Sequence, residues 1–149
     1  MTTASTAPIT EAELDKFVAA WYHNLDVHAP LEEMIQMVAE KSEFRFPEVT
    51  SYGRKDFTDW YNRVTNSFFD EIHETKELHL DVHGNEGDVK LVTFWQASTW
   101  DKPEAKSKRI SFNAGQTWKV KRNPDNGKIE VTLYAVDTFE PVGDSALPS

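Results

Sequence analysis

Two short stretches of this chain carry ligand-type side chains at spacings that chemistry uses. HLDVH, residues 79–83, places His79, Asp81 and His83 at alternate positions, which on an extended strand project to one face while Leu80 and Val82 point to the other. Two imidazoles and a carboxylate on one face are the makings of a metal site. HNLDVH, residues 23–28, repeats these residue types where a helical pattern gives way to a loop. Imidazoles there serve to cap a helix C-terminus, whose dipole favours donors and positive charge. Near the end of the chain VTLYAVD closes on Asp137, and QTWKV opens on Gln116. What any of these groups can do depends on which way each points, and that is set by the elements that carry them.

TEAELDKFVAAWYHNL has Thr10 three residues before Glu13, a capping-box spacing, then Leu14, Phe17, Val18, Trp21 and Leu25 at helical intervals. The pattern predicts a helix with one apolar face, and Tyr22 falls off that stripe as a surface or interface group. A second, shorter helix is expected after Pro30, carrying Leu31, Met34, Ile35 and Val38. SEFRFPEV alternates Phe44 and Phe46 before Pro47 and reads as one short strand. Gly53 with Asp56 in the first turn opens a third helix, its stripe formed by Phe57, Trp60, Tyr61, Val64 and Phe68.

From residue 75 to 141 the hydrophobic period changes to two. Turn signals GNEGD, DKPE and NPDNGK divide the stretch into four strands of an antiparallel meander. This is an α+β plan with the helices covering one face of one curved sheet. A single domain is expected over 10–142, with residues 1–9 and 143–149 as flexible ends.

Composition narrows the function. With 149 residues the chain is long enough for one substantial core. A net charge of −9 opposes the phosphate attraction that nucleic-acid binding relies on, so no nucleic acid is expected as a partner. The absence of cysteine removes disulfides, thiolate metal sites and cysteine nucleophiles. The polar MTTASTAPIT start and the lack of a long apolar run point to a cytoplasmic protein that engages no membrane. Five tryptophans and nine phenylalanines are a surplus that goes to pockets or interfaces.

On 89–100 one face reads Val89, Leu91, Thr93, Trp95, Ala97 and Thr99, without a charge, and is assigned to the inside. The other, Lys90, Val92, Phe94, Gln96, Ser98 and Trp100, mixes polar and apolar groups as a surface packing on a partner subunit would. The same reasoning turns Leu78, Leu80 and Val82 inward and His79, Asp81 and His83 outward. They then form a solvated polar face rather than a metal site, and no metal is expected. Inward positions on the last two strands are Gln116, Trp118, Val120, Val131, Leu133, Ala135 and Asp137. Trp21, Trp60, Trp95, Trp118 and Leu133 would line a pocket for a flat apolar ligand, which Gln116 would orient. Asp137 has two readings. As structure it reaches solvent or pairs with Arg109 or Lys102; as function, a carboxylate desolvated in an apolar pocket can take or give a proton near neutral pH.

WYHNLDVHAPLEEM, FRFPE, GRKDFTDWYNRVTNSFFDEIH and the strands containing WQASTW, QTWKV and VTLYAVDTF together resemble the nuclear transport factor 2-like superfamily, in its SnoaL-like branch, over residues 10 to 142. The resemblance implies a cone, with three N-terminal helices packed on the concave face of a strongly curved antiparallel sheet, and a homodimer through the convex face. It also implies an acid/base role for Asp137, since SnoaL-like polyketide cyclases carry that carboxylate near the end of the last strand. Leu133 stands where a tryptophan is common. The ketosteroid isomerase branch does not match: Trp21, Phe46 and Gln116 occupy the positions of its tyrosine and two aspartates. Glu48 and His28 are loop groups placed to overhang the cone mouth and supply a proton. The expectation is a cofactor-free cyclase, isomerase or dehydratase moving protons on an apolar carbonyl compound, with Asp137 and His28 catalytic. The alternative is a non-catalytic ligand-binding or structural dimeric module of the same fold.

Overall fold

The computed structural model describes residues 7–101 and 103–148. Helix α1 (Glu11–Asp26) starts with the expected capping box: Glu13 N–H donates to Thr10 Oγ1 at 3.1 Å, and Thr10 N–H to Glu13 Oε1 at 3.2 Å. It buries Leu14, Val18, Trp21, Tyr22 and Leu25. A short α2 (Leu31–Ile35) follows, then β1 (Val38–Arg45), β2 (Thr50–Tyr52) and α3 (Gly53–Ser67), whose first-turn Asp56 accepts the Tyr52 N–H at 2.9 Å. Four long strands complete the chain: β3 (Phe69–His83), β4 (Glu86–Thr99), β5 (Lys108–Arg122) and β6 (Ile129–Pro141).

The strands form one curved, unclosed six-stranded sheet in the order β2-β1-β6-β5-β4-β3. The meander β3 to β6 is antiparallel as expected. The first half of the chain contributes more strand than its pattern predicts. Val38, read as helical, opens β1, where it pairs with Val131. β1 runs parallel to β6, and β2 folds back on β1 across the turn at Pro47. Parallel pairing needs a long crossover, which the intervening meander supplies.

Helices cover the concave face. Trp21, Trp118, Phe44, Phe57, Leu14, Met34, Leu91, Val89, Val120 and Val131 are fully buried, each large side chain worth about 1.5–3 kcal/mol of hydrophobic stabilisation. The inward parity expected for β4 holds: Val89, Leu91, Thr93 and Ala97 are all at most 2% exposed, whereas Trp100 is 47% exposed.

Of the ends expected to be flexible, residues 7–9 are held. Arg122 donates to the carbonyls of Ala7 and Pro8 and to both oxygens of Glu13, and the buried Ile9 bonds Gly84. Val142 and Ala146 bond the β5 backbone. Residues 1–6 and Ser149 lie outside the described residues. No helix among the described residues is long and apolar enough to cross a membrane.

Candidate functional site

The narrow end of the cone is packed solid, where the rings of Trp21, Trp118 and Tyr134 meet at centroid distances of 5.1–5.8 Å. Toward the open end a cavity of about 520 Å³ remains, a size that holds a small organic molecule. Its apolar walls are Trp60 stacked on Phe46 at 4.7 Å, Trp95 against Phe139, Phe68 and Val136. At the mouth Arg63 and Glu48 approach to 3.7 Å.

Three polar groupings reach this apolar space. The first is His73 of β3 with Asp26, the last residue of α1. His73 Nδ1 lies 2.6 Å from Asp26 Oδ1, and the His73 backbone N–H donates to Asp26 Oδ2 at 3.2 Å. A carboxylate facing Nδ1 requires the proton there, so the neutral ring carries its lone pair on Nε2. The ring is clamped, stacked on Tyr22 at 4.9 Å and flanked by Trp95. A carboxylate at a helix C-terminus opposes the helix dipole, and the contact with His73 offsets that cost.

The second is Glu71, which bonds His28 and Trp95. The third centres on Gln116. Its Oε1 accepts from Tyr22 Oη and from Trp118 Nε1, both at 2.9 Å. An indole N–H can only donate, so the amide orientation is settled, and the NH₂ is turned toward the Tyr134 hydroxyl. The Tyr134 hydroxyl belongs to this group, and burial pushes its pKa up to about 12; burial also pushes the Tyr22 phenol well above its usual range. Both stay protonated at neutral pH; the Tyr134 ring lines the cavity while its hydroxyl is buried beside Trp21, Gln116 and Tyr22. An imidazole base oriented by a carboxylate, in an apolar chamber that a buried amide also lines, can abstract a proton from carbon.

No protein-family model matches the chain, and no curated protein matches it by sequence. Solved structures match it closely in shape. A candidate dehydratase of the NTF2-like family from Streptomyces avermitilis superposes with a TM-score of 0.73 at 13% identity, over 88% of this chain and 95% of that one. The hexachlorocyclohexane dehydrochlorinase LinA-type3 from Novosphingobium barchaimii gives 0.70 at 15% identity, over 91% and 92%. A candidate polyketide cyclase from Xanthomonas campestris gives 0.55 at 17%, over 81% and 86%. This chain has the nuclear transport factor 2-like fold.

Within this NTF2-like cone the residues singled out from sequence separate into groups. Trp60, Trp95 and Gln116 line the cavity. Trp21 and Trp118 are inward but lie in the packed narrow end and do not line it. His28 closes α1 through its backbone, at φ 51° with its N–H donating to the Leu25 carbonyl at 3.2 Å, while its Nε2 sits 2.6 Å from Glu71 Oε2 and reaches the cavity through that residue. Glu48 is at the mouth. Tyr22, expected on the surface or at an interface, is 4% exposed. His79, Asp81 and His83 do face outward, and His83 pairs with Asp88.

Asp137 and Leu133 are corrections. Asp137 is exposed on the convex side, where its Oδ2 accepts from Thr117 Oγ1 at 2.6 Å. Arg109 bonds Asp70 and Ser98 instead, and Lys102 lies outside the described residues. The cause is bulging in β6. Lys119 pairs with Leu133 but Val120 with Val131, and Gln116 pairs with Val136 but Gly115 with Thr138. Thr132 and Asp137 are therefore extra residues, and each flips the side-chain parity beyond it. The cavity receives Tyr134, Val136 and Phe139, while Leu133 and Asp137 face away.

A bulge also conceals His73. Between Thr75 and Glu77 the register against β4 shifts by one, so His73 points inward although Leu78, Leu80 and Val82, of opposite parity, do so too. Asp26 was in view within HNLDVH. Only the alternation of Glu71 and His73 around Ile72, just before residue 75, signals the other half of the dyad.

Proposed function

We propose that this chain is an acid–base enzyme of the SnoaL-like type that takes a proton from the carbon beside the carbonyl of a small, flat, apolar compound, as an isomerase, cyclase or eliminating enzyme does. The observation that carries this reading is the His73–Asp26 dyad at 2.6 Å inside an aromatic cavity. Nε2 of His73 takes the proton and Asp26 stabilises the imidazolium. The step needs nothing beyond these side chains. The neighbours include proteins described as a dehydratase, a dehydrochlorinase and a polyketide cyclase, which supports a small-molecule enzyme. The working unit is a homodimer joined through the convex face.

The test uses α-tetralone, a flat ketone without a leaving group, in deuterated buffer. The native chain should speed α-deuterium uptake, read by mass spectrometry, and His73→Ala should fall to the buffer rate. Equal uptake by both proteins would reject the role of His73. Trp21 and Trp118 filling the narrow end favour the other reading, a ligand-binding module that catalyses nothing; in that case tetralone binds and raises the unfolding temperature, but no deuterium enters.

A further inference from the structure

Glu71 stands two positions before His73, about 6–7 Å along an extended strand. Its side chain is 7% exposed and lines the cavity. Trp95 Nε1 donates to Glu71 Oε1 at 3.1 Å, and His28 Nε2 is 2.6 Å from Oε2. A nitrogen and a carboxylate oxygen that close must share a proton, because two lone pairs would repel. When His28 takes a second proton at Nδ1 from outside, the Nε2 proton can pass to Glu71, so the pair can deliver one proton to the cavity wall. The His28 side chain is 28% exposed, so the far side of the pair meets solvent.

The backbone is left-handed at both ends of this contact; at His28 this is the C-terminal cap of α1, where the Ala29 N–H also reaches the Asn24 carbonyl at 2.8 Å. Among the described residues, His28 (φ 51°) and Asp70 (φ 50°) are the two non-glycine residues with positive φ. Such a conformation is disfavoured for an L-residue. One is a member of the pair and the other immediately precedes Glu71. Asp70 sits where β3 bulges against β4, between the pairings of Phe69 with Ser98 and Ile72 with Gln96, and Arg109 Nη1 holds its carbonyl at 2.8 Å. Bulges re-aim side chains, and this one turns Glu71 inward while Phe69 faces out.

We propose that Glu71 is the acid that protonates a leaving group, reloaded from solvent through His28, and that the substrate is a β-hydroxy carbonyl compound dehydrated to the conjugated alkene. The inference rests on the proton abstraction by His73 proposed above. His73 Nε2 takes the α-proton, the freed pair forms the C=C bond, the C–O bond breaks, and the departing hydroxyl takes the proton of the Glu71–His28 pair and leaves as water. The imidazolium of His73 then gives its proton to solvent, and His28 takes one from solvent. Substrate becomes alkene plus water, with no change of oxidation state. A halide would leave without a proton and would need no such pair.

The experiment compares β-hydroxycyclohexanone with β-chlorocyclohexanone, following cyclohexenone formation by the native full-length chain. Glu71→Gln should lose about a hundredfold or more of water elimination and keep chloride elimination within about threefold. His28→Gln, in which Glu71 stays in place, should slow water elimination alone, with partial rescue by added imidazole; it carries the test if Glu71→Gln fails to fold. Equal loss on both ketones would show that the pair only holds the strand, and no loss on either would show that it does nothing; each result overturns the inference. So does a native chain that exchanges tetralone deuterium but eliminates water from neither variant nor native protein. Failure of tetralone exchange instead overturns the role of His73 and takes this inference with it.

Discussion

A histidine becomes a base of defined direction only when something else decides which nitrogen carries the proton. Here Asp26 decides it, and Asp26→Asn removes that decision without removing volume. An amide can offer its NH₂ to Nδ1 and stabilise the wrong tautomer, turning the lone pair away from the cavity. Asp26→Asn should therefore lower His73-dependent tetralone exchange by about 10²–10⁴-fold while the far-ultraviolet dichroism stays native. The buried phenols give a second expectation. Burial raises Tyr22 well above its ordinary range and Tyr61 and Tyr134 to about 12. A folded-state pKa above the unfolded one stabilises the fold fully below the unfolded value, near 10, and that contribution is lost as pH rises through the folded value. Stability should fall between pH 10 and about 12. Tyrosinate absorbance from these three of the four tyrosines should appear together with unfolding, which a joint titration of absorbance and dichroism would read.

At the scale of elements, periodicity revealed the helices and the meander because a buried face repeats for as long as the backbone is regular. The capping box of α1, the Asp56 start of α3 and all three meander turns lie where their residue types require. What periodicity cannot show is an extra residue. The bulges at Thr132 and Asp137 in β6 and the shift between Thr75 and Glu77 in β3 leave composition and alternation almost unchanged while exchanging inside for outside. That is why Asp137 was legible as a carboxylate but not as an outward one, and why His73 was passed over. Gly115 tests the bulge directly. Its N–H donates to Thr138 Oγ1 at 3.1 Å, and a Cβ added there would lie 2.4 Å from that oxygen. Gly115→Ala must move Thr138 or squeeze out the bulge, so it should cost about 1–3 kcal/mol in urea unfolding. If the bulge is lost, Phe139 leaves the cavity wall and tetralone binding weakens. Unchanged stability would mean that Thr138 turns aside freely.

For the whole molecule the convex face decides what the chain does with the surface left over. The helices cover one side of the sheet; on the other, Phe94 lies half-buried beneath Lys76 Nζ at 5.7 Å, and Ile72 and Trp100 are about half exposed. Strands of 13 to 15 residues are roughly 45 Å long, and four of them span roughly 19 Å at ordinary spacing. That face offers roughly 800 Å² per chain, the size of a standard interface. Two chains each carrying −9 repel at long range, and salt screens that repulsion over about 10 Å at 0.1 M. Pairing through this face should therefore tighten as salt is added, the reverse of an interface built on opposite charges. Light scattering at micromolar concentration should give the mass of two 17.1 kDa chains, more completely at high ionic strength, and Phe94→Glu should shift it to one chain without loss of tetralone exchange, because Phe94 faces away from the cavity. A single-chain mass at every salt concentration would exclude the convex-face dimer and leave the cone, with its dyad, to act as a monomer.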